Sequence, residues 1–265
     1  MRNERMASTA HRVFETMGTI ATVDVCDVVP RVTADRAIDI LVAELERLEE
    51  MFSTYRDSSE ITRINRGQLD VARSSPEVRD VLVACAWLEH DSGGVFCIHP
   101  PEQPGTIDPS GYVKGWATER AARSLSAAGL RNWCVNVGGD LVASGRPEPS
   151  RTWRAAIRDP FDAHAVALVI EVDDRAVATS GTYERGRHLW DGRTGASSDG
   201  IASLTVVGPR LAWVDAFATA AFVMGRDGVE WVANHDGYDA LAITIDGELW
   251  SSPDFDRLIV SSEEV

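Results

Sequence analysis

Paired cysteines are missing from this 265-residue chain: Cys26, Cys85, Cys97 and Cys134 lie far apart and form no CxxC spacing. That argues against a disulfide framework or a cysteine-based zinc site, and unpaired thiols suit a reducing compartment. Positive charge is scarce as well. With 26 Lys and Arg against 41 Asp and Glu the formal charge is −15, and the main basic cluster, Arg185 and Arg187, is short and flanked by Glu184. Nucleic acid, whose phosphates need clustered cations, is therefore not expected as a ligand. A diphosphate remains possible if a metal ion supplies the missing positive charge. No run approaches the ~18 apolar residues of a membrane span, and the opening MRNERMASTAHR has no apolar signal-peptide stretch. The expected location is the cytoplasm. Neither GxxxxGK[ST] nor GxGxxG occurs, so a P-loop or dinucleotide-binding Rossmann unit has no support.

What is present is ordinary globular material, 44% hydrophobic and 25% charged, enough to bury a substantial core. Residues 1–10 read as a disordered lead-in, and 11–265 as a single domain. Residues 19–25 alternate as a half-buried strand does. From Thr33 as cap, Ile38, Leu41, Val42, Leu45, Leu48 and Phe52 recur at helical spacing. Ser75 as cap and Pro76 at the first position open a second helix, ended by Gly93 and Gly94. A third helix is expected over 112–128 and a fourth over 213–224. Strands are expected over 133–137, 153–157, 166–172 and 203–207, with a hairpin turn at Asp246-Gly247. Strict βαβ alternation is lacking, which favours an α+β fold with antiparallel sheets and packed helices.

Four segments carry chemistry-bearing residues. In Asp108-Pro-Ser-Gly-Tyr-Val-Lys-Gly115, small residues ahead of a helix let backbone amides approach a phosphate, and Lys114 adds a full charge. It also reads as a glycine-rich turn with a surface lysine. Asn136-Val-Gly-Gly-Asp140 ends a strand where a ligand, or simply the next strand, comes close. Thr179-Ser-Gly-Thr-Tyr-Glu-Arg185 leads to His188-Leu-Trp-Asp-Gly-Arg-Thr-Gly195, in which His188 is a proton acceptor or a residue that orders a polar loop. In Asp215-Ala-Phe-Ala-Thr219, positions i and i+4 put a carboxylate and a hydroxyl on one helix face. Hard oxygens of that kind suit Mg²⁺, although a helix-start aspartate facing the dipole needs no metal. His90-Asp91 fits a helix end, Cys97 a small buried apolar residue, and the eight scattered tryptophans core packing.

Taken in order, and with Thr16-Met-Gly-Thr19 and Phe52-Ser-Thr-Tyr55, these segments resemble the FAD:protein FMN transferases of the ApbE family. The resemblance runs from about Phe14 to the C-terminus. It implies an ApbE-like α+β fold, with Mg²⁺ held by Asp215, Thr219 and the backbone carbonyl of Gly111. It implies FAD contacts from Met17, Tyr55, Asp108 and Lys114, and from Val95, Phe96 and Cys97. It places His188 where the family needs a residue for transfer. The implied reaction moves FMN from FAD to a threonine of an acceptor flavoprotein and releases AMP. Attack by water instead would make the chain an FAD pyrophosphatase, and loss of catalysis would leave a flavin-binding module. Two departures stand out. Cys97 occupies the place of an aspartate in a GxFDP-like stretch, which leaves the backbone there to make the flavin contact, and Gly192 occupies the place of a proline, which is expected to loosen its loop.

Overall fold

The computed structural model describes residues 10–182, 190–196 and 200–260. Alternating exposure along Ala10–Thr16 (β1) and Thr19–Val25 (β2) gives an antiparallel hairpin, so Ala10 belongs to a strand rather than to the lead-in. Met17 and Gly18 turn it, both at positive φ. The chain continues through α1 (Arg31–Phe52), α2 (Glu60–Asn65), α3 (Pro76–Asp91), α4 (Ser110–Ala127), β3 (Trp133–Val137) and β4 (Asp140–Ser144). After β5 (Trp153–Arg158), β6 (Val166–Val172), β7 (Ala176–Gly181) and β8 (Ile201–Gly208) come α5 (Leu211–Met224), α6 (Arg226–Ala233), β9 (Asp239–Thr244) and β10 (Leu249–Ser251).

Eight strands form one sheet in the order β1-β2-β3-β4-β7-β8-β9-β10, antiparallel at every pairing. The β5–β6 hairpin forms a second, two-stranded sheet. This is the α+β arrangement with antiparallel sheets that the missing βαβ alternation predicts. The main core gathers the apolar stripe of α1, the buried faces of α3 and α4, nearly all of α5 and the inner residues of the large sheet. A smaller cluster lies between β5–β6 and strands β4, β7, β8 and β9.

Helix α5 fixes the site. Ten of its fourteen residues are buried, because it packs against α4, α6, β7 and β8 together. Its acid, Asp215, is thereby carried inside. Trp213 and Phe217 on the same helix meet Trp87, Tyr112, Trp231 and Tyr238, mostly edge to face at 4.9–5.2 Å, a geometry that adds specificity to burial. These tryptophans pack helices together, as their scatter along the sequence suggests.

The elements depart from the sequence pattern in instructive ways. Ser75 caps α3 as expected, accepting the Val78 N–H with Pro76 at the first position. Helix α1 starts at Arg31 without a side-chain cap, two residues ahead of Thr33. Helix α4 starts at Ser110, so Ser110 to Gly115 form its first turns and only Asp108 and Pro109 precede it. Strands β4 and β7 escape the alternation test because neighbouring residues such as Asp140 and Leu141, or Ala176, Val177 and Ala178, are buried together.

Candidate functional site

The close approach of α4 to α5 makes the site. Gly115 lies on α4 where any side chain would collide: a Cβ there would sit 2.5 Å from the Leu211 carbonyl oxygen and 2.7 Å from Asp215 Cβ. With no side chain in the way, the Gly115 N–H reaches Asp215 Oδ2 at 2.8 Å. One turn earlier, Gly111 packs beside the Thr219 methyl and the Phe96 ring. Asp215 and Thr219 of α5 thus face Gly115 and Gly111 of α4 along one helix–helix seam.

Lys114 brings the charge. Its Nζ lies 2.5 Å from Asp140 Oδ2 and 3.6 Å from Asp215 Oδ1. Asp140 is 2% exposed, stands at the end of the Gly138-Gly139 turn between β3 and β4, and accepts the Thr179 N–H on Oδ1 at 3.3 Å. The sequence shows Asp140 within its motif without disclosing a role for it. Burial pushes the Asp215 carboxyl above the usual carboxylate range; the Lys114 ammonium opposes that shift, and Asp140 reinforces it. Two buried carboxylates share one ammonium, and a cation at Asp215 would restore the balance.

The donor set fits Mg²⁺ in kind: a buried carboxylate, a hydroxyl and a main-chain carbonyl, all hard oxygens, of the sort whose shell water and phosphate oxygens commonly complete. In a regular helix the Gly115 N–H serves the Gly111 carbonyl; here that N–H also donates to Asp215, which weakens its claim on the carbonyl. Among the described residues no three His, Cys, Asp or Glu side chains cluster as a metal cage. A metal here would therefore rest on Asp215 with neutral oxygens.

The remaining expected contact residues are placed as follows. Met17 is half-buried, and its N–H donates to Glu49 Oε2 at 2.8 Å, so a glutamate on α1 holds the β1–β2 turn. Tyr55 is 93% exposed and available to a ligand. Asp108 accepts the Ser110 N–H at the head of α4, and Asn65 bonds both the N–H and the carbonyl of the preceding Ile107. Glu49 and Asn65 escaped sequence reasoning because each acts across more than 30 residues through a backbone group. Val95 and Phe96 are buried. Cys97 is half-buried rather than buried, its Sγ accepting the His99 N–H at 3.4 Å. His188 lies outside the described residues, as do its neighbours 183–187 and 189.

The two departures touch one another. A Cβ on Gly192 would collide with Cys97 Cβ and the Gly94 carbonyl oxygen, and the Gly192 N–H donates to the Val95 carbonyl at 2.9 Å. Proline offers no such donor. Gly192 therefore ties the 190–196 loop to the Val95–Cys97 stretch, contrary to the loosening expected from sequence.

The chain is similar to known proteins over most of its length. The pattern of the ApbE family matches residues 17–100 and 98–242. The chain is 37% identical over 157 residues to an FAD:protein FMN transferase of Rhodobacter capsulatus, covering 56% of this chain and 30% of that protein. It is 28% identical over 285 residues to the FAD:protein FMN transferase of Vibrio cholerae, covering 84% of each. Against the first of these and the Escherichia coli relative, the match spans half or less of the relative's length. In three dimensions it resembles the flavin transferase ApbE of Vibrio cholerae (TM-score 0.80, 22% identity, 95% of this chain and 99% of that one). It also resembles the flavinyl transferase ApbE of Pseudomonas stutzeri in its apo form (TM-score 0.81, 24% identity, 97% and 98%).

Proposed function

Because the chain belongs to the ApbE family, we propose that it is an Mg²⁺-dependent FAD:protein FMN transferase, acting on a threonine of an acceptor flavoprotein. The observation that carries this reading is the seam where Asp215, Thr219 and the Gly111 backbone converge beside Lys114. Asp215, Thr219 and the Gly111 carbonyl would hold the metal, which supplies charge neutralisation on the diphosphate oxygens. Lys114 adds a positive charge beside them. Met17, Tyr55, Asp108 and the Val95–Cys97 backbone orient the dinucleotide.

In the reaction, the threonine Oγ attacks the phosphorus on the FMN side of the diphosphate. A new P–O bond forms to threonine, the P–O bond to AMP breaks, and His188 takes the hydroxyl proton. The products are phosphoester-linked FMN and AMP. The acceptor presents its threonine on an exposed segment that can enter the site. The four unpaired cysteines favour a cytoplasmic acceptor.

The test is incubation of the purified protein with FAD, Mg²⁺ and co-expressed candidate acceptors, followed by mass spectrometry. FMN attached to an acceptor threonine, and lost on Thr→Ala, is the expected result. Release of free FMN and AMP at one rate with or without acceptor would replace transfer by hydrolysis. Absence of any turnover would leave a flavin-binding module.

A further inference from the structure

We propose that Asp140 is a positioning residue for the metal site, holding the Lys114 ammonium so that it does not neutralise Asp215. This rests on the Mg²⁺ reading above and adds a residue to it. Lys114 stands between two buried carboxylates and is bound unequally, with Nζ at 2.5 Å from Asp140 and 3.6 Å from Asp215. The difference separates a close ion pair, which lacks hydrogen-bond geometry at Asp140 Oδ2, from a looser electrostatic contact. Asp140 cannot follow the lysine, because it begins β4 and its Oδ1 is engaged by the Thr179 N–H. The lysine has a flexible stem and could reach Asp215 fully if Asp140 released it. It would then occupy the electrostatic position of the metal, and a cation would have to displace it.

Charge leads to the same place. Asp140, Asp215 and Lys114 together carry one unbalanced negative charge when all are ionised. Removing the Asp140 charge leaves a neutral Lys114–Asp215 pair with little attraction for a divalent ion. Removing Lys114 as well restores the negative charge of the native site. A direct metal ligand, or a residue needed only for folding, would not be rescued in this way.

The test is Mn²⁺ binding to the full-length purified protein without FAD, followed by electron paramagnetic resonance. Mn²⁺ shares the hard-oxygen preference of Mg²⁺. Asn at 140 keeps an oxygen for the Thr179 N–H, so Asp140→Asn is expected to fold. It should weaken Mn²⁺ affinity about 10–100-fold, the usual scale for an outer partner of a metal ligand. The double variant Asp140→Asn/Lys114→Met should return to near wild-type affinity, and Lys114→Met alone should bind more tightly than wild type. Unchanged affinity in Asp140→Asn, or a double variant as weak as the single, overturns the proposal. If Asp140→Asn fails to fold, unchanged or weaker binding by Lys114→Met overturns it. Wild-type protein that binds no Mn²⁺ overturns the metal reading and this inference together; wild-type binding with no rescue overturns the inference alone.

Discussion

Gly115 on α4 gives its backbone N–H to Asp215 on α5 at 2.8 Å, joining residues 100 apart in sequence at the centre of the site. The contact requires the absence of a side chain, since a Cβ at 115 would meet the Leu211 carbonyl oxygen and Asp215 Cβ well inside van der Waals distance. Gly115→Ala should force α4 and α5 apart. The expected cost is roughly 1–3 kcal/mol of stability, as for other overpacked interiors, together with loss of FAD turnover. Thermal unfolding and an FAD turnover assay on the same preparation check both. Normal activity would show that the seam need not be this close.

Asp215→Asn isolates the charge from the contact. Asparagine keeps an acceptor for the Gly115 N–H and nearly the same volume, so the fold should survive with a stability change of about 1 kcal/mol. If Asp215 holds Mg²⁺ as proposed, FAD turnover should be abolished, because the proposed donors left would be a hydroxyl and a carbonyl. Activity in this variant, or wild-type activity that persists in EDTA, would remove the metal from the mechanism.

These two residues also show what the sequence does and does not disclose. Asp215 and Thr219 can be paired from spacing alone, because helical geometry puts i and i+4 on one face. The approach of Thr219 to Gly111 is a tertiary contact, and only the resemblance carried by the ordered motifs pointed to it. Asp140 sat in plain view within its motif, yet its partner Lys114 lies in an earlier segment, and no local pattern joins them. Strand β7 is buried on both faces and so lacks alternation. Glu49 looks like any helical glutamate until its carboxylate is found on the Met17 N–H. Local periodicity is legible in one dimension; contacts between distant backbone groups are not.

Acid stability should depend on Glu44. On α1 it accepts from Arg47 and, across to α4, from the Arg120 Nε, both at 2.8 Å. Hydrogen bonds from Arg47 lead the causes that lower its carboxyl to about 2, against a burial effect that raises it. A carboxyl lowered in the folded state contributes stability above its unfolded value near 4.5 and loses it as pH falls through about 2. Denaturant unfolding between pH 6 and pH 2 should therefore show a decline that is shallower in Glu44→Gln. Parallel curves for the two proteins would show that the pair is too well solvated to matter.

Gly192 and Cys97 should behave as a matched pair. Gly192→Ala introduces the Cβ that Cys97 and the Gly94 carbonyl leave no room for, with an expected cost of roughly 1–3 kcal/mol. The Gly192 N–H, bonded to Val95, remains in this variant, so the loss reports on space alone. Gly192→Pro removes the donor as well and should be worse. Unfolding midpoints equal to wild type in both variants would show that the loop moves aside easily.

The last prediction separates binding from chemistry at His188. The groups proposed to bind FAD are Met17, Tyr55, Asp108, Lys114 and the Val95–Cys97 backbone, and His188 is not among them. The loop that follows it, residues 190–196, is anchored by the Gly192–Val95 hydrogen bond and braced internally by the Asp191–Arg193 pair at 2.6 Å. His188→Ala should thus leave FAD affinity close to wild type in a fluorescence titration. Removal of a general base typically costs ~10²–10⁴-fold, and transfer to the acceptor threonine should slow by that order. If His188 is the proton acceptor, the loss should appear in kcat and not in the KM for FAD. Equal losses in affinity and turnover would show that His188 shapes the pocket and that the proton leaves by another route.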